Sequence, residues 1–378
     1  MRWAAGFILA FSGCGFSVQG SAPDGTEARD GIASDALADG APADVDSRFC
    51  LGAGLGRVCL DAAPVGPLVL PNMELDTGTS GNCTQVVSLN SVEYCVLAAT
   101  TITAPTGTFF RGRGTRPLIL VASQTVTIDG TISVSSLVGQ NPGAGSPGAV
   151  CGAPGIGEAD VGGGAGGAGG SFHGKGGGGG AGDLNSSAGG DGSSLGGIAA
   201  NVIVPTSIRA GCPGGPGGVG IGAAGAGGRG GGAMYLIAGT SVIVNGQAYA
   251  VGQGGAGGTN YSGGGGGGSG GFIGFDAPNV IVNGAVIANG GGGGEGSPPG
   301  ETGGSGADGP VDASRALGGL GWLDAGNGGL GSGAGVLVGD PGLGDNSGGG
   351  GGGGGAGFIY VKGTFSGAGP VSPSPSLN

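Results

Sequence analysis

Four short stretches carry residue types at spacings that could do chemistry. Leu75-Asp76-Thr77-Gly78-Thr79-Ser80 spells the catalytic loop of an aspartic protease, a chemistry in which two carboxylates share one proton. No second Asp-Thr/Ser-Gly follows: Leu323-Asp324-Ala325-Gly326 lacks the hydroxyl, and Asn72 and Glu74 replace the apolar approach strand. A turn is the better reading of Asp, Gly, Thr and Ser together. Gly169-Gly-Ser-Phe-His-Gly-Lys-Gly176 nearly spells a phosphate-cradling loop, but Gly176 stands where a hydroxyl would hold magnesium. Gly267-Gly-Ser269-Gly-Gly271 has the spacing of a nucleophile elbow, and the only histidine available as its base, His173, is remote in the chain. Asp308, in Gly303-Gly-Ser-Gly-Ala-Asp-Gly-Pro-Val, matches part of a calcium nonapeptide, which binds only as stacked tandem copies. With 108 Gly in 378 residues, composition alone generates such Gly-framed motifs. The residues therefore predict no catalytic group, no metal site and no cofactor.

The composition limits the remaining classes. Gly contributes no side chain to a core and is the costliest residue to order, which argues against a conventional enzyme interior. Charged residues are 10% and mean hydropathy is +0.24, the reverse of the signature of ordinary disorder. Gly211-Cys-Pro-Gly-Gly-Pro-Gly217 keeps a triplet period too briefly for collagen. A net charge of −12 leaves no basic field for a phosphate backbone, so nucleic acid is not an expected partner.

The N-terminus reads as an address. Met1-Arg2, an apolar run from Trp3 to Phe11 and Ser12-Gly13-Cys14 have the layout of a secretory signal, too short for a membrane span. Phe11-Ser12-Gly13-Cys14 resembles the lipobox of bacterial lipoproteins, with Phe in place of the usual Leu. The resemblance implies a lipid-attached Cys14 and an outer-membrane destination, with plain secretion as the alternative. Setting Cys14 aside leaves six cysteines, an even number that suits an oxidising compartment. Of fifteen connectivities, the spacing favours Cys50–Cys59, Cys83–Cys95 and Cys151–Cys212. Signal 1–14 is followed by an acidic, self-repelling tether over 15–49, a Cys-rich β head over 50–93, a Gly-rich repetitive body over 94–370 and a flexible tail over 371–378.

The body repeats one frame. Pro117-Leu-Ile-Leu-Val-Ala-Ser-Gln-Thr-Val-Thr-Ile-Asp-Gly130 recurs as Ala233-Met-Tyr-Leu-Ile-Ala-Gly-Thr-Ser-Val-Ile-Val-Asn-Gly246 and Phe272-Ile-Gly-Phe-Asp-Ala-Pro-Asn-Val-Ile-Val-Asn-Gly284. Weaker copies start at Tyr94 and Phe358, and Asn201-Val-Ile-Val204 reads as a degenerate unit. The period of two predicts strands. Asp129-Gly130, Asn245-Gly246 and Asn283-Gly284 suit tight turns with positive φ. Two geometries fit, a hairpin at each Asx-Gly or a corner of a parallel β-solenoid, and stacked copies must share a core. The expected fold is all-β, a solenoid or a sandwich-like body of repeated strand pairs.

Glycine tracts at 176–180, 263–268, 290–294 and 348–355 separate the copies. They fit flexible linkers or packed polyglycine II helices, which rise about 3.1 Å per residue and bond through the backbone. Lipobox, acidic linker, Thr-Val-Thr-Ile-Asp-Gly strand pairs and Gly tracts together resemble the glycine-rich bacterial cell-surface proteins loosely described as PE-PGRS-like or adhesin-like. That resemblance implies a non-enzymatic, lipid-anchored surface protein with a structural or adhesive role, in contact with surface polysaccharide or other cells. The alternative is a carbohydrate-binding or polysaccharide-degrading solenoid. Tyr235, Tyr249, Tyr261, Phe272 and Phe275 would be its stacking surface, although their strand positions fit a core better.

Overall fold

The computed structural model describes residues 48–146, 151–184, 193–321, 324–333 and 335–378. The signal with Cys14, the tether as far as residue 47, and Leu323 lie outside the described residues. The described chain is all-β. A hairpin of β1 (Phe49–Leu51) and β2 (Val58–Leu60) precedes β3 (Leu68–Val69), β4 (Met73–Asp76), β5 (Gln85–Leu89), β6 (Val92–Ala104) and β7 (Phe109–Arg113). The repeat copies supply β8 (Leu118–Ile128), β9 (Thr131–Ser133), β10 (Ala233–Ala238), β11 (Ser241–Val244), β12 (Gln247–Tyr249), β13 (Phe272–Val282) and β14 (Ala285–Ile287). The last are β15 (Phe358–Ser366), β16 (Val371–Ser372) and β17 (Ser376–Leu377).

Two sheets result. The long one runs β17-β15-β13-β10-β8-β6-β3, with β11 continuing β10 between the same two neighbours, and the short one runs β16-β14-β12-β9-β7-β4. Copies pair parallel and in register, so Leu97, Leu120, Leu236, Phe275 and Val361 form one row. Phe110, Ile132, Ala248, Val286 and Val371 form another. The first half of each long strand is buried on both faces, as Ala-Met-Tyr-Leu-Ile-Ala in β10 shows, and so reads as a continuous apolar run. The second half alternates because only one face is covered, with Val242 and Val244 inward and Ser241 and Ile243 half-buried. Leu120, Leu236, Phe275 and their row-mates fill the space between the sheets. Tyr235, Phe272, Phe358 and Tyr360 on the far face lie under the β1–β2 hairpin, Phe172 and Ile208.

Several expectations change. The strand pairs of a copy do not pair with each other; each Asx-Gly turns the chain from the long sheet to the short one, so the hairpin alternative fails. Gly130, Gly246 and Gly284 do not have positive φ. Glycine stands there because the corners stack too closely for a Cβ: on Gly246 it would strike the Gly130 carbonyl, and on Gly284 that of Gly246. The head–body junction at 93/94 falls inside β6, and β3, β4 and β5 join the body's own sheets, so 50–93 is no separate head. Phe49, placed in the tether, opens β1, and the tail over 371–378 is held in both sheets through β16 and β17. Residues 201–204 form no strand, and Val202 and Val204 are exposed.

The glycine tracts continue directly from the strands and bond to one another by a three-residue rule. In 348–357, the amides of Gly349, Gly352 and Gly355 donate to Gly164, Gly167 and Gly170. Those of Gly350, Gly353 and Ala356 donate to Leu343, Asp340 and Leu337, and those of Gly351, Gly354 and Gly357 to Gly294, Gly291 and Ala288. Residues i, i+3 and i+6 thus address one neighbour, as three residues per turn requires. Carbonyls of the same segment accept from 174–183, 262–271 and 325–332, making six bonded neighbours. Segments 163–172, 262–271 and 288–297 are surrounded in the same way. Around these four runs a closed ring of bonded segments, in order 152–160, 210–222, 223–232, 250–259, 302–309, 315–321, 325–332, 337–345, 174–183 and 193–204. The result is a hexagonal array in which backbone pairing does the work that side chains do in an ordinary core.

Candidate functional site

The array sorts side chains by register. In surrounded segments all three registers face a neighbour, and the pure glycine runs 263–268, 290–294 and 348–355 fall there. A Cβ on Gly266 would strike the Ala168 carbonyl, and one on Gly353 the Leu330 carbonyl. Ring segments have one register free. In 223–232, Ala223, Ala226 and Arg229 are exposed while Gly225 and Gly228 are buried, and Pro213, Pro216 and Val219 are the outward register of 210–222. Large apolar side chains occupy this register elsewhere: Leu195 and Ile198 are 68% and 82% exposed, Leu317 and Leu320 63% and 64%. Isolated exposed apolar residues are ordinary. Here they recur every third residue within a ring segment, Leu195 and Ile198 in 193–204 and Leu317 and Leu320 in 315–321, with Ile156, Val338 and Leu343 also outward.

The corners form a polar ladder. Asn245 Nδ2 donates to Asp129 Oδ1 at 2.8 Å, and Asn283 Nδ2 to Asn245 Oδ1 at 2.9 Å. Below it, the amides of Asn245 and Gly246 both donate to Ile128, and those of Asn283 and Gly284 both to Val244. The six turn residues are thereby brought into one stack with a structural task. The cysteines stand as Cys50–Cys59, Cys83–Cys95 and Cys151–Cys212, the pairs that spacing favours. Arg209 lies beside the last, with Nη2 3.2 Å from the Cys151 sulfur and its guanidinium over the Phe172 ring.

A recess of about 710 Å³ lies between the Cys50–Cys59 loop, the end of β10 and the middles of β13 and β15, walled by Arg57, Asp276, Lys362 and Pro278. Asp276 is 7% exposed. Its Oδ2 accepts from the Ala53 amide at 2.7 Å, the Gly54 amide at 2.7 Å and the Tyr235 hydroxyl at 3.0 Å, clamping the loop to the sheet. Gly52, at φ +93°, makes the turn that aims those amides. Burial first, and then the Asp276 charge, push the Tyr235 phenol far above its ordinary range. Among the described residues, neither Arg57 nor Lys362 is ion-paired. Asp276 was visible in the sequence only as the lone acid between Ala233 and Ala288, and nothing local marks its link to a loop more than two hundred residues away.

The motif look-alikes are spent on the protein itself. Asp76 caps Gly78 through Oδ1 and pairs with Arg113 at 3.0 Å through Oδ2. Beside it, Glu74 pairs with Arg111 and Arg113. Partial burial raises the Glu74 pKa, but the Arg111 and Asn141 hydrogen bonds and the two guanidinium charges outweigh it, holding the carboxyl below the usual range. Ser269 is buried, accepting from Cys212 and donating to Gly270. His173 packs on Phe358 at 4.9 Å, and burial lowers its pKa. Asp308 ties the amides of Val138 and Gly254. Tyr235, Phe272, Phe275 and Tyr249 are core, so they offer no stacking surface. Among the described residues no group of three His, Cys, Asp or Glu converges as metal ligands, and no helix is long and apolar enough to cross a membrane. No protein-family model, curated protein or solved structure matches the chain.

Proposed function

We propose that the protein is a non-enzymatic, lipid-anchored bacterial surface protein whose body is a parallel β-solenoid carrying a bundle of polyglycine II helices, and that it acts as a rigid adhesive display. The observation that carries this is the outward register of the ring. Leu195, Ile198, Leu317 and Leu320 stand in water on a backbone-bonded frame, at a repeat of about 9 Å from three residues rising 3.1 Å each. Exposed apolar side chains repeated along a segment offer contact points to an apolar partner, and a frame that loses no further entropy on contact binds more tightly. Replacing these four residues by Ser is expected to reduce attachment to apolar surfaces and to cells several-fold at unchanged melting temperature. Undiminished attachment, or turnover of a polysaccharide by the wild type, contradicts the reading. For the anchor, incorporation of a palmitate analogue is expected in the wild type and not in Cys14→Ala; an unlabelled wild type removes it.

The unpaired Arg57 and Lys362 support a second reading, binding of an acidic sugar in the recess. A uronate would set its carboxylate against the cations, its hydroxyls toward Asp276 and its C–H face on Pro278. Titration with glucuronate oligomers tests it, and affinity no greater than for neutral glucose oligomers dismisses it.

A further inference from the structure

A second acidic site sits at one end of the glycine bundle. Asp183 is fully buried and, among the described residues, neither of its carboxylate oxygens meets a hydrogen-bond donor. It also holds φ +45°, in the left-handed region that Asp enters more readily than most non-glycine residues. Its amide donates to the Ser347 carbonyl at 3.0 Å, and both groups pack on Gly163. Gly163 in turn donates to the Asp160 carbonyl at 3.1 Å, and its own carbonyl accepts from Ser194 Oγ at 2.6 Å. Asp160 is 9% exposed and spends Oδ1 on the Gly162 amide. Two buried acidic residues, Asp183 and Asp160, and two buried serines, Ser194 and Ser347, thus adjoin Gly163 through these bonds and contacts, and none of the five is Lys, Arg or His.

An unpaired buried carboxylate is strongly unfavourable unless a cation or a proton neutralises it. The polar side chains here, Asp160, Asp183, Ser194 and Ser347, offer only oxygen, which suits a hard cation and not zinc, whose structural sites use nitrogen and sulfur. Calcium takes six to eight oxygens, accepts backbone carbonyls freely and tolerates irregular geometry, whereas magnesium demands a near-ideal octahedron. We infer that Asp183, with Asp160 and the carbonyls that close this end of the bundle, binds a calcium ion that locks segments 152–160, 163–172 and 174–183 together. This goes beyond the adhesive reading and does not depend on it.

The test uses the full chain, chelator-treated and titrated with calcium chloride by calorimetry, with melting followed in parallel. One ion per chain and a rise in melting temperature of several degrees are expected. Asp183→Asn, which keeps the shape, is expected to weaken binding about tenfold or more and to remove the shift, since affinity follows the count of charged ligands. Should that variant fail to fold, the wild-type titration decides alone. No calcium heat with identical melting of chelated and calcium-supplied chains overturns the proposal, as does an Asp183→Asn variant that binds calcium like the wild type.

Discussion

Two glycines define the account at the scale of single residues. A Cβ on Gly266 would lie inside the Ala168 carbonyl, whereas one on Gly178 finds its nearest neighbour, the Gly197 oxygen, at 3.5 Å. Gly266→Ala is expected to cost about 3 kcal/mol or more, as overpacking does. Gly178→Ala should be neutral or add about 0.4–1 kcal/mol by restricting the unfolded chain. Chemical denaturation of both variants checks the contrast. Tyr235 carries a pH prediction. Its phenol titrates higher in the folded protein than the ordinary value of 10.0, so the folded state retains a proton that the unfolded chain releases. Its contribution is complete below pH 10 and lost as pH rises above it. Melting temperature should fall above pH 10, and less steeply in Tyr235→Phe; burial also raises Tyr94, Tyr360 and Tyr249, the last to about 12, so the decline is not abolished. At this scale the sequence was legible where partners are close in the chain, as with Cys50–Cys59 and Cys83–Cys95. It misled at Gly130, Gly246 and Gly284, because a glycine required by a neighbouring corner looks the same as one required by φ.

Elements extend the same logic. Cys151–Cys212 closes 61 residues and Cys50–Cys59 only 9. Chain entropy then predicts a loss of about 4 kcal/mol for Cys151→Ser/Cys212→Ser against about 3 kcal/mol for the smaller loop, read from denaturation midpoints. Asn245→Ala removes a rung that both gives and receives a side-chain hydrogen bond, and should cost about 1–2 kcal/mol. Strand positions were legible because burial on both faces writes an apolar run and burial on one face writes alternation. Strand partners were not: the hairpin and the corner share the Asx-Gly signature and differ only in which distant copy lies alongside. The integration of residues 68–89 into the sheets was hidden too, since β3 and β4 are too short to carry a pattern.

For the whole molecule, the central claim is that glycine tracts are the packed interior rather than the loops. The signal was present in Gly163-Gly-Ala-Gly-Gly-Ala-Gly-Gly-Ser171, where side chains return every third residue. A three-residue period read only as collagen misses it, because here each turn of a segment is satisfied by six separate neighbours instead of two identical chains. The exposed apolar register and the acidic end of the bundle follow from that arrangement. Amide hydrogen exchange on peptides spanning 263–268, 290–294 and 348–355 tests it most directly. The hydrogen-bonded array predicts that these amides exchange among the slowest in the protein, at the rate of global unfolding. Exchange within seconds, at the rate of a solvated glycine chain, would contradict it.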